Sequence, residues 1–318
     1  AVGLPSAVSW TDVKTDDYTL KPGTSGVVEI ALEIPEDTPP QGHYAAVSIE
    51  AMPPAEGGGQ ASAVAGRIVV PVLIAITGDE ESPTWLGEPT FDRSSLFLRT
   101  DGQYMARAEI SNGGGTHVGL TGDAIIEAID EDGERQPVAA FEVPNGYVLP
   151  DRERLYTGAG RTTLTPDQPY ELTFELWTPA HGRTADAEPE IIDSIELVAT
   201  PQVELAELAA CMPVEGDLQA SVPLVNEGTV GVIPEFRFWT EDAAGTIKTK
   251  SRSTAELLAW PAETTTATST MFAPTEAGEY TLVAEVAIGA DEVLTTQATI
   301  RIGEDGNVPS CDMAADSS

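Results

Sequence analysis

The residues with the strongest claim to chemistry are three acids and a glycine, Asp130-Glu131-Asp132-Gly133. Such a run opens a calcium loop, which then needs further oxygen ligands and a closing Glu at fixed spacing. Those later ligands are missing, and the run separates two alternating apolar segments, so it reads as a hairpin turn. GEDGN, from Gly303, is a weaker case of the same kind. His43, His117 and His181 lie far apart in the chain, and none has the spaced partner that a zinc site requires. His117 follows SNGGGT in a Gly-rich loop. No Gly-x-Ser-x-Gly, no nucleophile with a base and no phosphate-cradling glycine loop is present. With 52 Asp and Glu against 16 Lys and Arg, carboxylates pair by chance and no glycosidase pair stands out. The expectation is a chain without catalysis, cofactor or metal.

Binding chemistry has more material. Five Trp and seven Tyr are enough for a sugar-stacking platform. Trp177 and Trp239, the latter beside Phe236 and Phe238, stand in alternating strands, which points to core packing. Trp85 and Trp260 stand near joints and are better candidates for exposure. Cys211 and Cys311 bracket the last hundred residues in polar, turn-rich surroundings. A disulfide between them is the favoured reading, and implies an oxidising compartment; two unrelated thiols are the alternative.

The formal net charge of −36 repels nucleic acid and anionic lipid, so neither is an expected partner. Even acidity with only Lys14, Lys21, Lys248 and Lys250 as lysines fits a salty habitat, and equally a soluble secreted protein from a high-GC genome. No signal peptide is visible in AVGLPSAVSW. The longest apolar run, Ile68 to Ile76, is too short to span a bilayer and contains Pro71.

The elements that position these residues are strands. VVEIALEI ends at Ile34; the run Arg67–Ile76 is apolar at nearly every position, so both its faces should be covered. Further strands are expected at Thr90–Leu98, Tyr104–Ser111, Asp123–Ile129, Val138–Val143, Arg154–Ala159, Tyr170–Thr178 and Ile191–Ala199. The rest are expected at Gln202–Ala206, Gln219–Val225, Glu235–Thr240, Lys248–Lys250, Thr264–Phe272, Tyr280–Ile288 and Val293–Ile302. Turns are marked by TDG, SNGGG, DEDG, PNG, NEG and EDAAG. Only Ala206–Ala210 hints at a helical period.

One phrase recurs: a turn of Pro, Gly and acids, then Tyr, then an alternating strand, at Tyr44, Tyr170 and Tyr280. A Tyr in that place marks the tyrosine corner of Ig-like sandwiches. The fold expected is all-β, with tandem Ig-like or fibronectin-III-like β-sandwich domains at 1–80, 81–200 and 201–304 and a tail at 305–318. Too few residues precede Tyr44 for a whole sandwich, so the first domain is expected to hold late strands only.

The order of signatures resembles the WxL-interacting proteins of Gram-positive cell surfaces. It rests on LKPGTS (20–25), IP at Ile34-Pro35, GHY (42–44), ISNGGGTH (110–117), DEDG, VLP (148–150) and LTP (164–166), over roughly residues 18–200. The resemblance implies extracellular Ig-like domains that bind peptidoglycan or host matrix and partner other surface proteins. No binding residue carries over, and the third domain and the acidity depart from the pattern.

The function expected is a non-enzymatic extracellular structural or adhesive subunit of a cell-surface pilus, filament or layer. Two expectations stand for the first domain: its front half was cleaved or lies outside this sequence, or a strand or half-domain from a neighbouring chain completes it. The other readings are a cell-wall glycan or carbohydrate-binding module, and accessory domains of a larger secreted protein. Partners expected are copies of itself, other surface proteins or cell-wall polysaccharide.

Overall fold

The computed structural model describes residues 4–14, 19–20, 23–51, 66–76, 87–178, 188–189, 191–212, 217–252 and 256–303. The chain is all-β. The only helical element among the described residues is a 3-10 turn at Val8–Trp10. The strands are β1 (Thr11–Val13), β2 (Ile30–Leu32), β3 (Gly42–Ala51), β4 (Gly66–Ala75), β5 (Pro89–Arg99), β6 (Tyr104–Asn112) and β7 (Val118–Ile129). They continue with β8 (Arg135–Val148), β9 (Arg152–Thr157), β10 (Pro169–Trp177), β11 (Ile191–Val198), β12 (Val203–Leu205), β13 (Ala209–Cys211) and β14 (Asp217–Asn226). The last are β15 (Gly231–Ile233), β16 (Glu235–Glu241), β17 (Ile247–Arg252), β18 (Glu263–Phe272), β19 (Gly278–Ile288) and β20 (Glu292–Ile302). No described helix is long and apolar enough to cross a membrane.

Two compact units divide the chain. One holds residues 1–90, 110–120 and 146–154; the other holds 91–109, 121–145 and 155–318. In the first, β1 pairs with β2 and β3 pairs with β4, both antiparallel. The residues around Ser6 run parallel to β3: Tyr44 donates its N–H to the Pro5 carbonyl at 2.9 Å, and Ala7 donates to the Tyr44 carbonyl at 2.8 Å.

The later sheets are ordered β15-β5-β6-β9 and β11-β10-β7-β8, then β12-β14-β13 with β18 on β14, and β17-β16-β19-β20. Each pair is a three-to-four-stranded face over a four-stranded one, the layering of an Ig-like sandwich. Period-2 patterning explains why these segments are strands. Along β14 the residues Leu218, Ala220, Val222, Leu224 and Asn226 are buried and their neighbours half-exposed. Along β10 the same holds for Tyr170, Leu172, Phe174 and Leu176. Burying such a side chain contributes about 1.5–3 kcal/mol.

Landmarks recur in the two later sandwiches. Asp130 closes its hairpin by accepting the N–H groups of Asp132 and Glu134 at 3.0 and 2.8 Å, with Gly133 at φ 81°. Asp242 does the same for Ala244 and Thr246, both at 2.9 Å, with Gly245 at φ 77°. DEDG is thus an Asx-type turn whose first carboxylate is engaged by backbone.

Several expectations are corrected. Arg67–Ile76 is not covered on both faces: Ile68, Val69 and Val70 are 64%, 55% and 41% exposed. PNG is not a turn, because Pro144-Asn145-Gly146 lies inside β8. Strand β8 closes one side of its sheet, where a proline breaks no ladder bond. VVEIALEI is strand only at Ile30–Leu32, and Ala206–Ala210 ends in β13 rather than helix. The short strands β1, β13 and β15 were not legible. Trp85, His181, Cys311, GEDGN beyond Gly303 and the 305–318 tail lie outside the described residues.

Candidate functional site

The three repeated tyrosines are built differently. The Tyr170 hydroxyl accepts the Thr165 N–H at 2.8 Å, and the Tyr280 hydroxyl donates to the Glu276 carbonyl at 2.7 Å. Both therefore tie a strand start back to the turn before it. The Tyr44 hydroxyl is buried and completes no hydrogen bond among the described residues. Burial raises its pKa above the ordinary value, and the backbone of His117 pulls the other way.

Around Tyr44 the first unit gathers aromatic and imidazole groups. His117 packs edge-on between Tyr44, at 5.9 Å, and Tyr147, at 5.7 Å. His43, only 5% exposed, stacks at a tilt on Trp10 with ring centroids 4.4 Å apart. Neither ring nitrogen of His43, nor Nδ1 of His117, has a hydrogen-bond partner among the described residues. Gly42 N–H donates to the Gly115 carbonyl at 2.9 Å, which holds the loop of His117 against the start of β3. Gly42 has no room for a side chain: a Cβ there would collide with the Tyr44 hydroxyl. Among the described residues, no group of three or more His, Cys, Asp or Glu is placed to hold a metal ion.

Burial lowers the His117 pKa below its ordinary value of 6.5. The unfolded chain therefore binds a proton at a higher pH than the folded one. Stability from this residue is full above about pH 6.5 and is lost as pH falls below it. Thermal melts between pH 7.5 and 5.5 are expected to show the first unit's transition dropping by roughly a few degrees. His117→Gln removes the titrating group and should flatten that drop; an unchanged slope in the variant rules out His117 as its source.

In the second unit two places stand out. The first is an aromatic joint of Phe97, Met105, Ile233 and Trp260, with Leu258 against it. Trp260 meets Phe97 edge-on at 4.8 Å, and the Arg93 guanidinium lies 4.1 Å over the indole. Arg93 also pairs with Glu109 at 2.6 Å and with Glu263. Buried Arg107 pairs with Glu256. Trp260 is therefore 6% exposed, which reverses the exposure expected for it.

The second is a concave pocket of about 410 Å³ on β16 and β17, lined by Arg237, Phe238, Trp239, Ile247, Lys250 and Ser251. Trp239 is half-buried here rather than packed in the core, because Phe236 and Phe238 hold the inward phase of β16. Trp177 is buried, as its strand position implied.

Sequence reasoning missed a buried asparagine that recurs. Asn112 donates to the carbonyls of Thr116 and Val148 at 2.7 and 3.0 Å, and accepts the N–H groups of Gly114 and Glu88 at 3.0 and 2.9 Å. Asn226 donates to the carbonyls of Val230 and Ala259, both at 2.9 Å, and accepts from Gly228 at 3.0 Å. The signal was available: in both copies the Asn ends an alternating strand and a Gly follows two residues later.

Cys211 ends β13, and no described cysteine is a free thiol.

No protein-family model and no curated protein matches the chain. Solved structures match it faintly. Red sea bream transglutaminase is 14% identical, over 67% of this chain and 31% of its own, with a TM-score of 0.26. The exo-chitosanase CsxA of Amycolatopsis orientalis is 13% identical, over 60% of this chain and 25% of its own, at 0.25. The class 5 fimbriae chaperone CfaA is 10% identical, over 66% of this chain and 98% of its own, at 0.22. This chain therefore spans about a third or less of the first two proteins' length.

Proposed function

We propose that this protein is a non-enzymatic structural or adhesive subunit of an extracellular assembly, joined to a second copy of itself by strand addition along β4. The observation that carries the reading is the state of β4. Among the described residues its only strand partner is β3, and Ile68, Val69 and Val70 are left exposed on both sides of the pleat. An apolar strand with an open row of N–H and C=O groups is a template for another strand, and proteins that do not use such an edge blunt it. Pro71 supplies a limit. A proline within a ladder sits where its N–H would face away from the partner strand. The outer edge of β4 thus has no donor at residue 71, and residues of the same phase before it, Arg67 and Val69, supply the outward N–H groups. The added strand docks on Gly66–Val70. Support for an extracellular place comes from the engaged Cys211, which we assign to a disulfide with Cys311, and from the resemblance to surface-anchored Ig-like proteins.

Light scattering on the purified chain, from micromolar to millimolar concentration, is expected to show dimers or larger species. Val69→Pro removes one outward donor and leaves the β3 ladder intact; Val69→Lys puts a charge on the same edge. Both should give monomers with an unchanged thermal transition. A wild-type chain that stays monomeric throughout, or variants that assemble as it does, overturns the reading.

A further inference from the structure

The pocket on β16 and β17 belongs to the second unit and carries a different chemistry from the β4 edge of the first. In a chain with 52 acidic residues, the six residues of β17, IKTKSR, hold three of the 16 basic ones and no acid. Register places Trp239 opposite Lys250 and Arg237 opposite Arg252. Trp239 Nε1 donates to the Glu241 carboxylate at 2.6 Å, which fixes the plane of the indole. Arg237 is held by Glu285 at 3.1 Å. Lys250 is exposed and forms no ion pair among the described residues, so its ammonium is available to a ligand. The cavity thus offers an oriented aromatic face, an aliphatic wall from Ile247, and two cations on its rim.

We infer that this pocket binds an anionic sugar, a pyranose ring bearing a carboxylate or sulfate. The ring's C–H face stacks on Trp239 against Ile247, and the anion meets Lys250 and Arg237, which share the outward face of the two strands. The volume of about 410 Å³ lies in the range of sites for small ligands, not of an extended peptide groove. The local cations are set in a field of the opposite sign, so the site selects a single compact anionic group over a dense polyanion, which the rest of the surface repels.

The test is a titration of the whole chain, followed by the indole N–H signal of Trp239 and by calorimetry. The probes are tri-galacturonate, a sulfated trisaccharide, a neutral trisaccharide of the same linkage and a hexaglutamate peptide. Saturable binding of an acidic saccharide is expected, with the neutral one at least about tenfold weaker, since a charge-assisted contact is lost. Lys250→Ala, an exposed and fold-neutral change, should weaken acidic-sugar binding by a similar factor. Trp239→Phe should weaken acidic and neutral sugars alike. The inference is overturned if neither acidic saccharide binds, if the neutral sugar binds as well as the acidic ones, if Lys250→Ala binds unchanged, or if only the peptide binds.

Discussion

Asn226→Ala is expected to cost the second unit about 3–5 kcal/mol, measured by urea unfolding at neutral pH. The side chain is fully buried and satisfies the carbonyls of Val230 and Ala259 and the N–H of Gly228. Alanine fills part of the space and meets none of these needs. Each buried group left without a partner costs about 1–3 kcal/mol, and the site is too enclosed for water to replace the amide without rearrangement. Asn226→Asp should be as damaging as alanine. It keeps the shape and the bond to Gly228, but turns an oxygen toward two carbonyl oxygens. Asn112→Ala should behave alike, with the Glu88 amide also orphaned. A loss below about 1 kcal/mol in Asn226→Ala means that the three bonds hold nothing that water cannot.

Trp260→Ala is expected to destabilise by about 3–5 kcal/mol and to change the shape of unfolding. The indole seals the joint in which Phe97 and Met105 of one sandwich meet Ile233 and Leu258 of the next. Its removal takes away the edge-on contact with Phe97 and the surface beneath the Arg93 guanidinium. Those two terms alone are worth about 0.5–1.5 and 0.5–2 kcal/mol. Calorimetry of the wild type should show the two later sandwiches melting in one transition, because the joint belongs to both cores. In Trp260→Ala the transition should divide in two. Ion pairs alone do not hold the sandwiches: Arg93 is partly exposed and Arg107's partner Glu256 half-exposed, so screening weakens both. A variant that melts as one unit within a degree or two of wild type contradicts this account of the joint.

The alternation of apolar residues made the two later sandwiches readable, and the turn before each Tyr dated their late strands correctly. The failures have separate physical causes. Strand β15 is three residues long and pairs in parallel with Phe97–Arg99, a partner more than a hundred positions away in the sequence. No local pattern announces such a bond. The PNG misreading came from treating Pro and Gly as turn formers, although a strand on the side of a sheet accommodates both. The assignment of Trp239 to the core ignored the phase of its own strand: with Phe236 and Phe238 inward, residue 239 must face out. Trp260 offered no phase to use, because it lies between strands, next to an isolated bridge between Ala259 and Val232. The β4 edge was misjudged because an apolar run shows what a strand needs to cover, not what is there to cover it. The pocket on β17 was hidden because its basic residues are unremarkable one by one; only the pairing with β16 brings Lys250 to Trp239.

The loops that follow the two buried asparagines have a shared use. After Asn112, Gly115 accepts the N–H of Gly42, which opens the strand of Tyr44. After Asn226, Gly231 runs alongside Phe97, at the near face of the sandwich before it. In each case the amide side chain freezes a loop, and the frozen loop meets the preceding module. A gene encoding such a module carries its own coupling with it. Duplication could lengthen the protein without a new interface having to evolve, and loss of a module could shorten it. The length of the protein would then be a quantity that selection adjusts by copy number, while the sequence inside each module stays free to drift.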